Sequence, residues 1–395
     1  MGYAYRQRPG QTRRVTHRAA PQRGRRKENI HPSRFIKAAK PVVEEEVYTP
    51  ENTFEDFLIH PLIKTNLAER GLTVPSPIQD KAIPLGLAGS DIIGIANTGT
   101  GKTIAFAVPV LQRLAKEPNA RAIILAPTRE LAQQIEDECK MLAKSSGLKA
   151  ALLIGGTNMG GQLKDLRANP RIVIGTPGRI KDHIERGSLT LSLFNIVVLD
   201  EVDRMLDMGF VNDMRFILQR ISTPRQSFFF SATMDPSINA LIETFASEPV
   251  LISVKTGDTA ETVEQGIVEY SGRDQKIEKL HELLIGGSIG KALVFDDTQR
   301  SVERLSKELQ VRGFKADAIH GGKTQGQRQR ALNRFQASDI DILVATDVAA
   351  RGIDVRDITH VINYSTPQSY TDYVHRIGRA GRAGRTGYAL TFIEL

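Results

Sequence analysis

Two stretches of this chain hold residue types and spacings suited to phosphate chemistry. The first is Ala96-Asn-Thr-Gly-Thr-Gly-Lys-Thr103. Gly99 and Gly101 leave room for backbone N–H groups to crowd around phosphate oxygens. Lys102 supplies a cation for the β- and γ-phosphates, and the Thr103 hydroxyl suits Mg²⁺. An apolar strand pattern precedes the segment and a helical pattern follows it, so a helix N-terminus adds partial positive charge. Ala96 stands where the general pattern has Gly. The second stretch is Asp200-Glu-Val-Asp203, straight after the apolar run Ile196-Val-Val-Leu199. An acid at the end of a buried strand is costly unless something pairs it, and a metal–nucleotide complex would do so. Asp200 is placed to hold Mg²⁺ through water, and Glu201 to orient a water for in-line attack. Together the two stretches point to nucleoside triphosphate hydrolysis.

Both stretches need a scaffold that delivers them to one place. Short β-branched runs at Asp91–Ala96, Ala122–Ala126, Ala151–Ile154, Ile172–Gly175, Ile196–Leu199 and Ser227–Phe230 alternate with helical stretches. Leu131, Ile135, Cys139 and Leu142 are spaced to line one helix face, which makes Cys139 a core residue. A second set follows at Ile267–Tyr270, Ala292–Phe295, Ala316–Ile319, Ile342–Ala345, His360–Asn363 and Ala389–Phe392. This alternation predicts parallel sheets covered on both faces, in two α/β domains at 48–254 and 265–395 joined by a linker at 255–264. In such sheets ligands sit beyond the carboxyl ends of the strands, where the polar, Gly-rich segments of this chain fall.

The 395 residues are 25% charged and 41% hydrophobic. At about 150 residues per domain that length suits two or three domains. The single cysteine excludes an internal disulfide framework and suits a reducing compartment. No apolar run approaches the ~18 residues of a membrane span, and the N-terminus lacks the apolar core of a secretory signal. Arg6 stands where a myristoylation pattern needs Ser or Thr. A soluble cytoplasmic protein, without a membrane partner, is expected. Residues 1–40 hold 12 Lys and Arg against one acid, Glu28, a net +11; the rest holds 41 basic and 44 acidic side chains, a net −3. Residues 1–47 are therefore expected to be a disordered basic tail. A phosphate-binding arm, a solubilising tail and a transit segment remain open readings of it.

Further motifs follow one another in order. They are Phe54 with Gly71-Leu-Thr-Val-Pro-Ser-Pro-Ile-Gln79, Pro127-Thr-Arg-Glu-Leu131, Gly155-Gly156 and Thr176-Pro-Gly-Arg179. Then come Ser231-Ala-Thr233, Ala345-Thr-Asp-Val-Ala-Ala-Arg-Gly-Ile-Asp354 and His375-Arg-Ile-Gly-Arg-Ala-Gly-Arg382. With the two phosphate stretches, residues 53–395 resemble the DEAD-box RNA helicases of helicase superfamily two. The resemblance implies two tandem RecA-like domains, with an adenine-reading Q motif at 52–80, that close on ATP and RNA and open short duplexes locally. It implies nucleotide contacts at Phe54, Gln79, Ala96, Asn97, Thr98, Gly99, Thr100, Gly101, Lys102, Thr103 and Asp354. Lys102, Asp200 and Glu201 would carry the chemistry, with Arg379 and Arg382 as arginine fingers from the second domain. RNA would meet Pro127, Thr128, Arg129, Gly155, Gly156, Thr176, Pro177, Gly178, Arg179, Arg328 and Thr346. Asp203, Ser231, Thr233 and His375 would couple closure to both ligands.

Physical sense accompanies that carry-over. The Gln79 amide can both donate and accept, which would tell adenine from guanine. Gly-rich turns and helix N-termini offer backbone N–H groups to phosphates without reading bases, so RNA binding without sequence preference by a monomer is expected. Departures from the family pattern are Val202, Asn97, Leu72, Asp296-Asp297 and Ser365. An ATP-gated RNA clamp and a duplex-DNA translocase are the rival readings, and the 2′-OH is the group that separates RNA from DNA.

Overall fold

The computed structural model describes residues 30–39, 48–97, 99–254, 263–286, 289–350, 355, 357–381 and 387–395. Thr98, Arg351, Asp354 and Arg382 lie outside the described residues, as do 1–29 and 40–47 of the expected tail and 255–262 of the expected linker.

The first half is one parallel sheet. Its strands are β1 Ile92–Ile95, β2 Ala122–Leu125, β3 Ala150–Leu153, β4 Ile172–Gly175, β5 Ile196–Leu199, β6 Gln226–Ser231 and β7 Val250–Ser253, in the order β3-β4-β2-β5-β6-β1-β7. Strands β1, β2, β4, β5 and β6 are buried along their whole length, as a sheet covered on both faces requires. Phe106, Phe228 and Phe230 pack on one face, and Phe229, Met205 and Ile217 on the other. Cys139 is 2% exposed within the first of these cores.

The second half is a six-stranded parallel sheet. It contains β8 Val263–Tyr270, β9 Lys291–Phe295, β10 Ala316–Ile319, β11 Ile342–Ala345, β12 Ile358–Asn363 and β13 Gly387–Glu394, in the order β10-β11-β9-β12-β13-β8. Strand β8 starts at Val263, inside the segment read as linker. Its polar start, Glu264-Gln265-Gly266, hides the strand from a hydrophobicity reading, but it pairs with β13 over eight consecutive residues. Strand β7 is equally hidden: of its four residues only Ile252 is buried, so it lacks the signature of a core strand.

The tail reading needs a correction at residues 30–39. These residues are ordered against the second half, not disordered. Pro32–Phe35 form a 3₁₀ turn, Phe35 is fully buried and Ile30 nearly so, and Lys37 bridges antiparallel to Gln265 on the edge strand β8. The average composition of residues 1–47 masks three apolar residues, Ile30, Phe35 and Ile36, and two of them reach the core.

Candidate functional site

The order of the first sheet sorts its strand ends into two groups. Strands β5, β6 and β1 are neighbours, so Asp200–Asp203, Ser231–Thr233 and the phosphate loop emerge side by side. Strands β3, β4 and β2 are neighbours on the other side, which gathers Gly155-Gly156, Thr176–Arg179 and Pro127–Glu130.

In the first group, Gly99 and Gly101 have φ of 85° and 89°, which glycine adopts without strain. The helix Lys102–Lys116 starts directly from the loop. Lys102 is buried, and its Nζ donates to the Ala96 carbonyl at 3.1 Å. The Thr100 hydroxyl donates to the Asn97 carbonyl at 2.9 Å, closing the turn. Thr103 lies half-buried one residue further on. The Asp200 carboxyl accepts from the Glu201 N–H at 2.9 Å; burial pushes it up to about 6, against the pull of Lys102. Burial also raises the Glu201 carboxyl, but Arg204, Lys102, Arg379 and His375 together outweigh it and hold it below its ordinary value. Glu201 has φ 52°, a left-handed conformation costing roughly 1–3 kcal/mol in a non-glycine residue and typical of functional sites. Asp203 accepts from the Ala232 N–H at 3.1 Å and the Thr233 hydroxyl at 3.4 Å, joining the acidic turn to the end of β6. Ser231 is buried at that same strand end.

The oxygens of Thr103 and Asp200 fit a Mg²⁺ ion. Both are hard donors, and a divalent cation relieves a carboxylate that burial has raised.

The Q segment is tied directly to the phosphate loop. The Gln79 amide accepts from the Ser76 N–H at 2.9 Å and donates to the Gly101 carbonyl at 3.0 Å. Both of its ends are engaged in tying helix Pro77–Leu87 to the phosphate loop, and a Cβ at Gly101 would sit 2.2 Å from Gln79 Nε2. Phe54, expected as a nucleotide contact, is 3% exposed and packs edge-on against Phe57 in the core. Apolar burial makes it a prop of the segment. Asp80, which the sequence reading passed over, organises the loop before it. Its carboxylate accepts from the Tyr48 hydroxyl, the Asn52 amide and the N–H groups of Glu51 and Asn52.

In the second group, the Arg129 guanidinium rests on the glycine pair, since a Cβ at Gly156 would lie 2.1 Å from its Nη1. Arg179 donates to the Ile154 carbonyl at 3.1 Å. The Thr128 hydroxyl caps helix Arg129–Leu142 by accepting from the Leu131 N–H. Thr176 is the N-cap residue of helix Pro177–Glu185, whose first turn contains Gly178. Thr128, Arg129, Gly155, Thr176, Gly178 and Arg179 line an open groove of about 540 Å³, joined from the second half by Gly321 and Arg328.

Arg328 is the residue of the second half from which RNA contact is expected. It is 6% exposed, and its Nη2 lies 2.8 Å from the Glu130 carboxylate of the other half, which Gln325 also approaches at 3.5 Å. The pairing offsets part of the cost of taking both charges out of water. Thr346 is buried after β11, and its carbonyl accepts from the N–H groups of Ala349 and Ala350 in the short helix that follows. His375 lies on helix Tyr370–Ile377, and Arg379 follows at its end, 3% exposed and close enough to influence Glu201. The sequence reading missed Arg376 between them. It is fully buried and clamps Asp347 with two bonds of 2.6 and 2.7 Å. Its signal, a guanidinium on the inward face of an amphipathic helix, was hidden inside a run of arginines.

Residues 76–241 match the family model described as DEAD/DEAH box helicase, and residues 275–384 match the helicase conserved C-terminal domain. The chain is 44% identical to the DEAD-box ATP-dependent RNA helicase CshA of Bacillus subtilis over 343 residues, 86% of this chain and 69% of that protein. It is 40% identical to a DEAD box protein of known structure from Methanococcus jannaschii, covering 87% of this chain and 93% of that one with a TM-score of 0.51. With Saccharomyces cerevisiae Dbp5 bound to RNA and ADP BeF3 the identity is 28%, the coverage 87% and 90%, and the TM-score 0.76. The less identical structure superposes better. With two family models matched in order and the motif residues gathered at two strand-end groups, the chain belongs to the DEAD-box helicase family.

Proposed function

We propose that the chain is an ATP-dependent RNA helicase that uses ATP binding and hydrolysis to open short RNA duplexes or remodel RNA–protein assemblies. One observation carries this reading: Lys102, Asp200 and Glu201 of the first half and Arg379 of the second are all buried, and Arg379 and His375 help to hold the Glu201 carboxyl below its ordinary value. ATP turnover is then tied to closure. Lys102 and the loop N–H groups take up the phosphates, Glu201 orients the attacking water, and Arg379 adds positive charge where negative charge develops. Mg²⁺, held by Thr103 and Asp200, would neutralise phosphate charge. The groove under Arg129 and Arg179 receives the RNA backbone through charge and N–H groups, which suits binding without sequence preference. Closure brings Arg328 onto Glu130 at the edge of that groove, so RNA seating and nucleotide chemistry favour the same arrangement.

The test is steady-state ATPase with no nucleic acid, single-stranded RNA, duplex RNA and DNA, alongside separation of a short labelled duplex. RNA stimulation with strand separation is expected. ATP-dependent RNA binding without strand separation would favour a clamp. Equal stimulation by DNA would overturn the RNA reading.

A further inference from the structure

We propose that residues 30–39 are a positioning element for the second half's arginine, with Phe35 as the positioning residue. This inference rests on the reading of Arg379 as the charge supplied to the nucleotide.

The Phe35 ring stands edge-on to Tyr373 with centroids 4.8 Å apart. The Arg34 guanidinium lies over the Tyr370 ring, 3.6 Å from its centroid. Tyr370 and Tyr373 are one turn apart on helix Tyr370–Ile377, the helix that presents His375 and Arg376 and ends just before Arg379. A third hold comes through Gln265. Its backbone exchanges both hydrogen bonds with Lys37, at 3.0 and 2.8 Å, while its side chain accepts from the Tyr373 hydroxyl at 2.9 Å. Ile30 and Phe35 belong to one core with Val263, Tyr373, Ile377 and Ala380, the neighbour of Arg379.

That arrangement does mechanical work. The helix is only eight residues long and flanks the site where the halves meet. Arg376 fixes its inner face to Asp347, and the N-terminal segment packs against Tyr370 and Tyr373, one turn earlier. A short helix clamped at both places cannot roll, and rolling would carry Arg379 away from Glu201. At Gln265 the segment also pairs with the open edge of β8, satisfying backbone groups that the edge strand would otherwise leave unpaired there. Its contacts are with the second half, so they can persist when the halves separate, and the arginine enters each closure already aimed.

The experiment uses the full chain and a double-mutant cycle with Phe35→Ala, Arg379→Ala and both together. Phe35→Ala should lower kcat at saturating RNA by about ten- to a hundred-fold, the scale of a misplaced catalytic group, with ATP KM and RNA affinity within about two-fold of wild type. In the Arg379→Ala background the same change should cost almost nothing, because the residue acts through Arg379. Phe35→Leu, which refills the socket, should restore most of the rate. Arg34→Ala leaves the buried core intact and should give a smaller fall of the same kind, which covers the case in which Phe35→Ala unfolds. A folded Phe35→Ala protein with wild-type kcat overturns the proposal, as does a loss that adds fully to that of Arg379→Ala. Failure of the wild type to show RNA-stimulated ATPase, or wild-type turnover in Arg379→Ala, would instead overturn the functional reading beneath it.

Discussion

Lys102 and the Asp200–Glu201 pair are buried together, so the lysine is the nearby cation that offsets two carboxyls taken out of water. Removing one should be felt strongly. Glu201→Gln keeps the shape of the site and takes away the base, so kcat should fall about 10²–10⁴-fold while ATP and RNA still bind. Lys102→Ala should abolish turnover at any ATP concentration reached in steady-state assays. Gln79 invites a finer test. Its amide ties the Gly101 carbonyl to Ser76, so Gln79→Ala should depress kcat with GTP as well as with ATP. A loss confined to ATP would assign the amide to the base alone. At this scale the sequence was most legible where function sits in one contiguous stretch: the loop 96–103 and the acids at 200–203 stand where strand-end reasoning put them. Gln79 and Phe54 were harder to read because their partners, Gly101 and Phe57, depend on how the segment folds back. Cys139 was legible as core from helix periodicity alone. Burial pushes its thiol up to about 12, so the native protein should resist a maleimide at pH 8 and label fully once denatured.

Elements meet at Glu130 and Arg328. Glu130 is 1% exposed at the start of helix Arg129–Leu142, and Arg328 projects from helix Gln325–Gln336. The two lie 198 residues apart in the chain. No periodicity in either helix announces this pair, because it exists only once the two sheets are placed together. Breaking a buried pair by removing one partner typically costs about 3–5 kcal/mol, since the other charge stays buried. Here that cost falls on closure, not on either half's own fold. Arg328→Ala should weaken ATP-dependent RNA binding, and Glu130→Ala should do the same. Combining them should cost much less than the sum of the two in a double-mutant cycle read by RNA affinity. Additive losses would mean that Arg328 acts on the RNA itself. Asp80 works at the same scale within one half. It collects Tyr48, Asn52 and two backbone N–H groups, and those hydrogen bonds hold its carboxyl below the usual range despite the opposing effect of burial. The stabilisation is present above the unfolded-state pKa and is lost as pH falls through the folded value.

Across the whole molecule, charge and buried anchors are distributed along the N-terminus in a way that average composition did not reveal. Residues 1–29 carry nine Lys and Arg and one acid, while residues 30–39 carry two basic side chains and the buried anchors Ile30 and Phe35. Two truncations should therefore behave differently. Deleting 1–29 removes a net +8 from a chain whose residues 41–395 are slightly acidic. RNA affinity should fall and its salt dependence should flatten, by about 0.7 in the log–log slope for each phosphate of a single strand that the arm neutralises. Turnover at saturating RNA should stay at the wild-type level, because the arm raises local RNA concentration without touching the chemistry. Deleting 1–39 should reproduce those changes and also lower kcat, since the hold on Tyr370 and Tyr373 goes with it. Binding titrations across a salt series, paired with ATPase at saturating RNA, separate the two effects. An unchanged affinity and salt slope after deleting 1–29 would leave those charges a role outside RNA binding. An unchanged kcat after deleting 1–39 would mean that the second half aims its arginine unaided.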